Sequence, residues 1–163
     1  MKRLLQNLFA GWFRMSSWFP ATTLTRIRDL IAEGERSHAG EICFAVEARF
    51  SFWSVLNGLK SRNRAHQLFS SLRVWDTIDN SGVLIYMQLA ERRVELIADR
   101  GIAARVDSLQ WQDICDQLGA DIANGPADIA VLAAITKINA LLSTHFPADS
   151  DNPRELPDDP VIL

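Results

Sequence analysis

The strongest constraint on the fold is a pair of apolar segments separated by only four residues. Residues 83–89 form the most hydrophobic run of the chain, and residues 94–99 form a second apolar run. The connection between them, residues 90–93, is short and polar. Two strands joined this closely must pair as an antiparallel hairpin, because a parallel return needs a crossover of a dozen or more residues. The sequence therefore predicts a β-hairpin near the middle of the chain.

The segments around this hairpin predict helices and one further strand. Residues 41–47 are apolar on both faces, which is typical of a central strand. Apolar residues recur with helical spacing in four other segments, which are residues 22–34, 63–72, 108–122 and 126–142. A strand joined to the next through a helix can be parallel to it, and helices in these positions can cover both faces of a sheet. We therefore expect an α/β fold: a three-layer α/β/α sandwich with a mixed sheet that contains an antiparallel hairpin.

Composition divides the chain into three zones. The length of 163 residues suits a single domain. Residues 1–20 are basic and aromatic, residues 21–146 carry the regular periodicity, and residues 147–163 form an acidic tail with four of the six prolines. Dense proline and like charges both oppose packing, so the tail is predicted to be disordered.

Charge, cysteines and hydropathy limit the classes of partner. The net charge of −3 gives no general attraction to nucleic acid, so no nucleic-acid partner is predicted. Cys43 and Cys115 lack metal-ligand spacing and are interpreted as free thiols, which predicts a reducing, cytoplasmic location. No apolar run reaches the length of about 18 residues that a transmembrane helix needs, so none is predicted. A protein partner of unknown identity is expected.

Two segments raise the question of membrane contact. In residues 1–14, apolar side chains line one side of a predicted helix whose only charges are Lys2, Arg3 and Arg14. The apolar residues are Leu4, Leu5, Leu8, Phe9 and Trp12. This pattern is typical of a peripheral membrane helix, although docking onto the domain or onto a second copy is the alternative. Residues 50–59 are also aromatic and could form a lid, meet a membrane or partner, or pack on the body.

Polar residues near two strand ends are the candidate metal ligands. Asp76, Asp79 and Asn80 precede the central strand, and Asp99 ends the second strand of the hairpin. Carboxylate and amide oxygens at one sheet edge could hold Ca²⁺ or Mg²⁺. The structural alternative is that Asp79 and Asn80 form a turn, while Asp99 caps the next helix and pairs with Arg100.

Several stretches together resemble the TPM domain family, also called the TPM phosphatase family. The longest is residues 80–106, N-S-G-V-L-I-Y-M-Q-L-A-E-R-R-V-E-L-I-A-D-R-G-I-A-A-R-V. Four shorter ones are H-A-G-E-I-C-F-A-V-E, L-F-S-S-L-R-V-W-D-T, W-Q-D-I-C-D-Q-L and N-G-P-A-D-I-A. The resemblance spans residues 22–146 and fits the short, soluble branch of the family.

The resemblance implies the same sandwich fold and divalent-cation binding near the loop before the central strand. The family's D-N-G turn falls on Asn80-Ser81-Gly82, so its acidic position is an amide here, whereas its D-R-G falls unchanged on Asp99-Arg100-Gly101. Two functional hypotheses follow. The first is a non-catalytic binding or scaffold module with weak cation binding, in membrane-associated protein maintenance. The second is a metal-assisted acid phosphatase that uses Asp76, Asp79 and Asp99.

Overall fold

The structure is a computed structural model that describes residues 3–4, 7, 11–148 and 153–163. The predictions for Lys2, Leu5, Leu8 and Phe9 fall outside these residues. The helices are α1 (Gly11–Trp18), α2 (Ala21–Gly34), α3 (Phe52–Leu56), α4 (Ser61–Ser71), α5 (Arg100–Arg105), α6 (Ser108–Asn124) and α7 (Ala127–His145). The strands are β1 (Glu41–Glu47), β2 (Gly82–Gln88), β3 (Arg93–Ala98) and β4 (Val161–Ile162).

The four strands form one mixed sheet in the order β3-β2-β1-β4. Strand β2 pairs with β1 in parallel, from Glu41 opposite Gly82 onward. It pairs with β3 antiparallel, with Val83 opposite Ala98. Every residue of β2 is buried, which explains its continuous apolar run. The predicted hairpin and the mixed sheet are confirmed.

Helices cover both faces of the sheet and create two hydrophobic cores. The larger core lies between one face and helices α2, α6 and α7. The smaller core lies between the other face and helix α4. Alternate residues of β1 divide between the two cores, with Phe44 in the larger and Ala45 in the smaller, as the two-residue period of a strand requires. The predicted three-layer sandwich is confirmed.

Helix α7 is long and apolar enough to cross a membrane, by length and composition alone. In this fold it contacts both α2 and α6. Its buried residues, among them Val131, Ile135, Ile138 and Leu142, belong to the larger core. We therefore interpret α7 as a core helix, and the absence of a transmembrane segment stays a prediction.

The C-terminal tail differs from its predicted disorder. Residues 149–152 lie outside the described part of the chain, but residues 153–163 run along the sheet and end in β4, which pairs in parallel with β1. The Glu41 carboxylate accepts the backbone N–H groups of Glu155 at 3.2 Å and Leu156 at 3.0 Å. Leu156 is buried in the smaller core. These contacts to distant residues order the stretch despite its prolines and like charges.

Buried carboxyl groups meet where the tail docks, two from the body and one from the tail itself. Glu35, Glu41 and Asp158 are each at least nine-tenths buried. Burial, reinforced by the nearby charge of Glu41 and then Asp158, raises the pKa of Glu35 to about 9. Burial also raises the pKa of Glu41. Carboxyl groups this close together cannot all ionise without repulsion, so Glu35 holds a proton at neutral pH.

Replacing Glu35 by Gln should raise the free energy of unfolding at pH 8 by about 1–3 kcal/mol. The pKa of Glu35 is higher in the folded chain than its ordinary value of 4.5. Its stabilising contribution is therefore full below pH 4.5 and is lost as the pH rises towards 9. Gln keeps an oxygen for the Ile42 N–H, which lies 3.1 Å from Glu35 Oε1. Urea unfolding between pH 5 and pH 9 measures the effect.

The matched control is Glu33→Gln, an exposed position at the end of α2, two residues before Glu35. It should leave the pH dependence of unfolding as it is in the unaltered chain. A Glu35→Gln chain with the same fall in stability from pH 5 to pH 9 as the unaltered chain would contradict the account of the buried carboxyl group.

Candidate functional site

The loop that enters β2 and the turn that leaves β3 meet at one end of the sheet. This follows from the antiparallel pairing, because the first residue of β2 lies beside the last residue of β3. The Asp99 N–H donates to the Gly82 carbonyl at 2.9 Å. The Gly101 N–H donates to the Asn80 carbonyl at 3.0 Å. Two of the four predicted metal ligands, Asn80 and Asp99, are thereby brought together.

Gly101 permits an unusually close approach between these two segments. A Cβ atom at this position would lie 2.2 Å from the Asp79 carbonyl oxygen and 2.7 Å from that of Asn80. Any larger residue would have to push the backbone of the loop away. Asn80 has a φ of 52°, in the left-handed region that asparagine tolerates better than most residues. The two segments are thus locked together through backbone atoms.

Asp99 has one satisfied and one unsatisfied oxygen. It is the N-cap of α5, and its Oδ1 accepts the Arg100 N–H at 2.7 Å. Its Oδ2 is buried and accepts no hydrogen bond from any residue that the structure describes. A buried carboxylate oxygen without a partner costs free energy that a bound cation would recover. The structural alternative from the sequence, a capping role for Asp99, accounts for only one of the two oxygens.

Arg100 competes with a cation at the same place. Its Nε donates to the Asn80 side-chain oxygen at 2.8 Å. A metal ion would therefore have to displace this hydrogen bond before it could use the amide, and the guanidinium charge would repel it. Oxygens are the ligands that a hard cation takes, and here they would come mainly from Asp99 and from the loop carbonyls of residues 79–80.

The other two predicted ligands contribute less. Asp76 pairs with Arg73, whose Nη2 lies 2.5 Å from its Oδ2. Asp79 is exposed at its side chain, although its carbonyl faces Gly101. Within the described residues, no group of three or more His, Cys, Asp or Glu side chains is arranged to hold a metal ion.

Two carboxylates that were not among the predicted ligands extend this end of the sheet. The N–H of Glu41 donates to the Ser81 carbonyl at 3.3 Å, so the start of β1 adjoins the loop before β2. Glu155, from the tail, accepts the Ile78 N–H at 2.9 Å. We call this end the acidic rim and define it as residues 76–81, Asp99, Glu41 and Glu155. The position of Glu41 beside a strand was visible in the sequence, but the return of the tail was not.

The opposite end of the sheet has a different, fully bonded polar network. The Tyr86 hydroxyl donates to Glu47 Oε2 at 2.6 Å, and Arg64 Nε lies 3.0 Å from the same oxygen. Burial, together with the hydrogen bond to Glu47, raises the pKa of Tyr86. Asn7 joins this end by accepting the Phe50 N–H at 2.8 Å and the Gln88 amide at 3.1 Å. These bonds hold residues near the N-terminus against the body.

Known proteins support the resemblance seen in the sequence. The family model of the TPM domain matches residues 15–141. The NMR structure of BA42 protein from the psychrophilic bacterium Bizionia argentinensis has a TM-score of 0.78 to this chain, at 24% sequence identity. That similarity covers 88% of this chain and 94% of BA42, and it shows a shared fold. No curated protein sequence matches the chain. The family match covers most of the chain, so this protein belongs to the TPM domain family.

Proposed function

We propose that this chain is a non-catalytic binding module that holds a divalent cation weakly at the acidic rim. The observation that carries the proposal is the buried Asp99 Oδ2, which has no partner among the described residues. The backbone of Asp99 is bonded to Gly82, and that of the nearby Gly101 is bonded to Asn80. A cation there would neutralise the carboxylate and bridge it to loop oxygens. It would thus stabilise the junction between the loop and the start of α5.

The ligand set favours Ca²⁺ over Mg²⁺. Calcium accepts irregular sets of carboxylate and carbonyl oxygens, whereas Mg²⁺ demands near-ideal octahedral geometry and gives up its water reluctantly. The affinity should be low, because Asp99 alone supplies a carboxylate within the locked junction and Arg100 opposes the ion with its charge. A dissociation constant of about 10⁻⁴–10⁻³ M is typical of the weaker protein calcium sites.

The contacts favour binding over the phosphatase hypothesis. That mechanism would need Asp76, Asp79 and Asp99 to act together on a metal-held phosphate. Asp76 is instead paired with Arg73, and one oxygen of Asp99 caps α5. The role in membrane-associated protein maintenance and the cytoplasmic location remain proposals that rest on the resemblance and on the free thiols.

Titration with CaCl₂, followed by amide NMR, should shift residues 76–82 and 99–101 together, with one dissociation constant. Asp99→Asn removes the charge but keeps an oxygen for capping, so it should weaken calcium binding by about tenfold or more. The same titration with MgCl₂ should give smaller shifts.

Asp107→Asn provides the matched control. Asp107 is also a helix N-cap, since its side chain accepts the Leu109 N–H at 2.8 Å, but it lies at the start of α6. This variant should bind calcium as the unaltered chain does. Equal affinity in the Asp99→Asn and Asp107→Asn chains would contradict the proposed site, as would shifts confined to one of the two segments.

A phosphatase assay separates the two hypotheses. With p-nitrophenyl phosphate and Ca²⁺ or Mg²⁺, we expect no hydrolysis that depends on both the metal and Asp99. Turnover that disappears with a chelator and also with Asp99→Asn, but survives Asp107→Asn, would replace the binding module with the enzyme.

A further inference from the structure

Basic and acidic residues are strongly segregated along the chain. Residues 1–28 and 48–75 together contain ten of the 17 Lys and Arg residues and none of the 20 Asp and Glu residues. The net charge of −3 is a sum over the whole chain, and the chain nevertheless contains two basic segments without Asp or Glu. Such segments attract anionic surfaces even when the whole protein is acidic.

Arg3 and Arg14 of the first segment and residues 49–60 of the second lie at the same end of the molecule. The Arg3 guanidinium donates to the Leu59 carbonyl and lies 5.8 Å from the centre of the Phe50 ring. Arg14 donates to the carbonyl of Leu89 at 2.8 Å, just beyond the last residue of β2. This basic end is where β1 and β2 finish, whereas the acidic rim is where they begin. The length of the sheet thus separates Arg3, Arg14 and residues 49–60 from the acidic rim, where Arg73 and Arg100 bond to Asp76 and Asn80.

Helix α3 projects apolar side chains from this basic end. Phe52, Trp53 and Leu56 are 50%, 71% and 52% exposed. The Phe52 and Trp53 rings pack edge to face, 5.7 Å apart. The helix is anchored from below by the buried Val55, and its N-terminus is capped by Ser51. We call Phe52, Trp53 and Leu56 the aromatic knuckle.

Cationic side chains flank the knuckle without competing carboxylates in the same segment. Arg49 and Lys60 lie on either side of it and are exposed. The neighbouring Glu47 is bonded to Arg64 and Tyr86, and Glu91 is bonded to Arg3. The carboxylates of Glu47 and Glu91 are thus matched by partners within the fold.

We propose that the aromatic knuckle inserts into the interfacial layer of an anionic lipid bilayer, with Arg49 and Lys60 at the level of the headgroups. Trp and Phe favour the membrane interface, and adjacent Lys and Arg are attracted by anionic lipids. A stable protein partner would need roughly 800 Å² of surface on this chain, which three side chains of a five-residue helix do not provide. Insertion into a bilayer, by contrast, needs only the few apolar side chains that project from α3.

This inference is independent of the cation site and relocates the membrane contact predicted for residues 1–14. The N-terminal segment is tied to the same end through Arg3 and Asn7, so it can add to the contact. Attachment through this end would leave the acidic rim facing away from the bilayer.

The test is co-sedimentation of the full chain with vesicles of phosphatidylcholine, with and without an equal part of phosphatidylglycerol. We expect binding to the anionic vesicles, much weaker binding to phosphatidylcholine alone, and loss of binding at high salt. Trp53→Ser should weaken binding about tenfold. Trp75→Ser, which alters a 48% exposed tryptophan in the loop before β2, should not weaken it.

A charge reversal tests the headgroup contact separately. Lys60→Glu should reduce binding to the anionic vesicles by several fold, whereas Lys137→Glu, an exposed lysine on α7, should leave it unchanged. Far-UV circular dichroism verifies that each variant is folded. The proposal is overturned by absence of vesicle binding in the unaltered chain, by equal binding to both lipid compositions, or by equal losses in the Trp53→Ser and Trp75→Ser chains.

Discussion

The pairing of β2 on both of its edges is the constraint on which the rest of the structure depends. Because β1 runs parallel to β2, both strands begin at the same end of the sheet and finish at the other. Because β3 runs antiparallel, it ends where β2 begins. The loop before β2 therefore meets the turn after β3, and Gly101 closes the junction against the backbone of Asp79 and Asn80.

This arrangement also explains how one small domain holds a group of carboxylates at one end and exposed basic and aromatic residues at the other. Carboxylates collect where β1 and β2 begin, partly because the tail returns to that end and binds Glu41. Basic and aromatic residues collect where the same strands finish, around helix α3 and Arg3. A cation held at one end and a bilayer bound at the other would act on opposite ends of a rigid sheet. Neither function would obstruct the other.

Local patterns predicted the sheet and the helices because those elements are encoded within short segments. The four-residue connection required the hairpin, and the hairpin in turn placed Asn80 near Asp99. The tail was predicted wrongly where it is described, since β4 and the Glu41 contacts join residues more than a hundred positions apart. The ion pair between Asp76 and Arg73 could not be predicted from the sequence either, because it depends on how the turn orients the two side chains. Composition alone determines neither the pairing of distant strands nor the orientation of side chains in a turn.

Backbone contact at Gly101 locks the loop before β2 to the start of α5. Urea unfolding of Gly101→Ala measures this lock directly, with Gly119→Ala in α6 as the comparison, because a Cβ at Gly119 meets nothing within 4 Å. We predict that Gly101→Ala lowers the free energy of unfolding by about 1–3 kcal/mol, since the added methyl group must displace the loop. Gly119→Ala should raise it by about 0.5–1 kcal/mol, as expected inside a helix. A Gly101→Ala chain as stable as the Gly119→Ala chain would contradict the account.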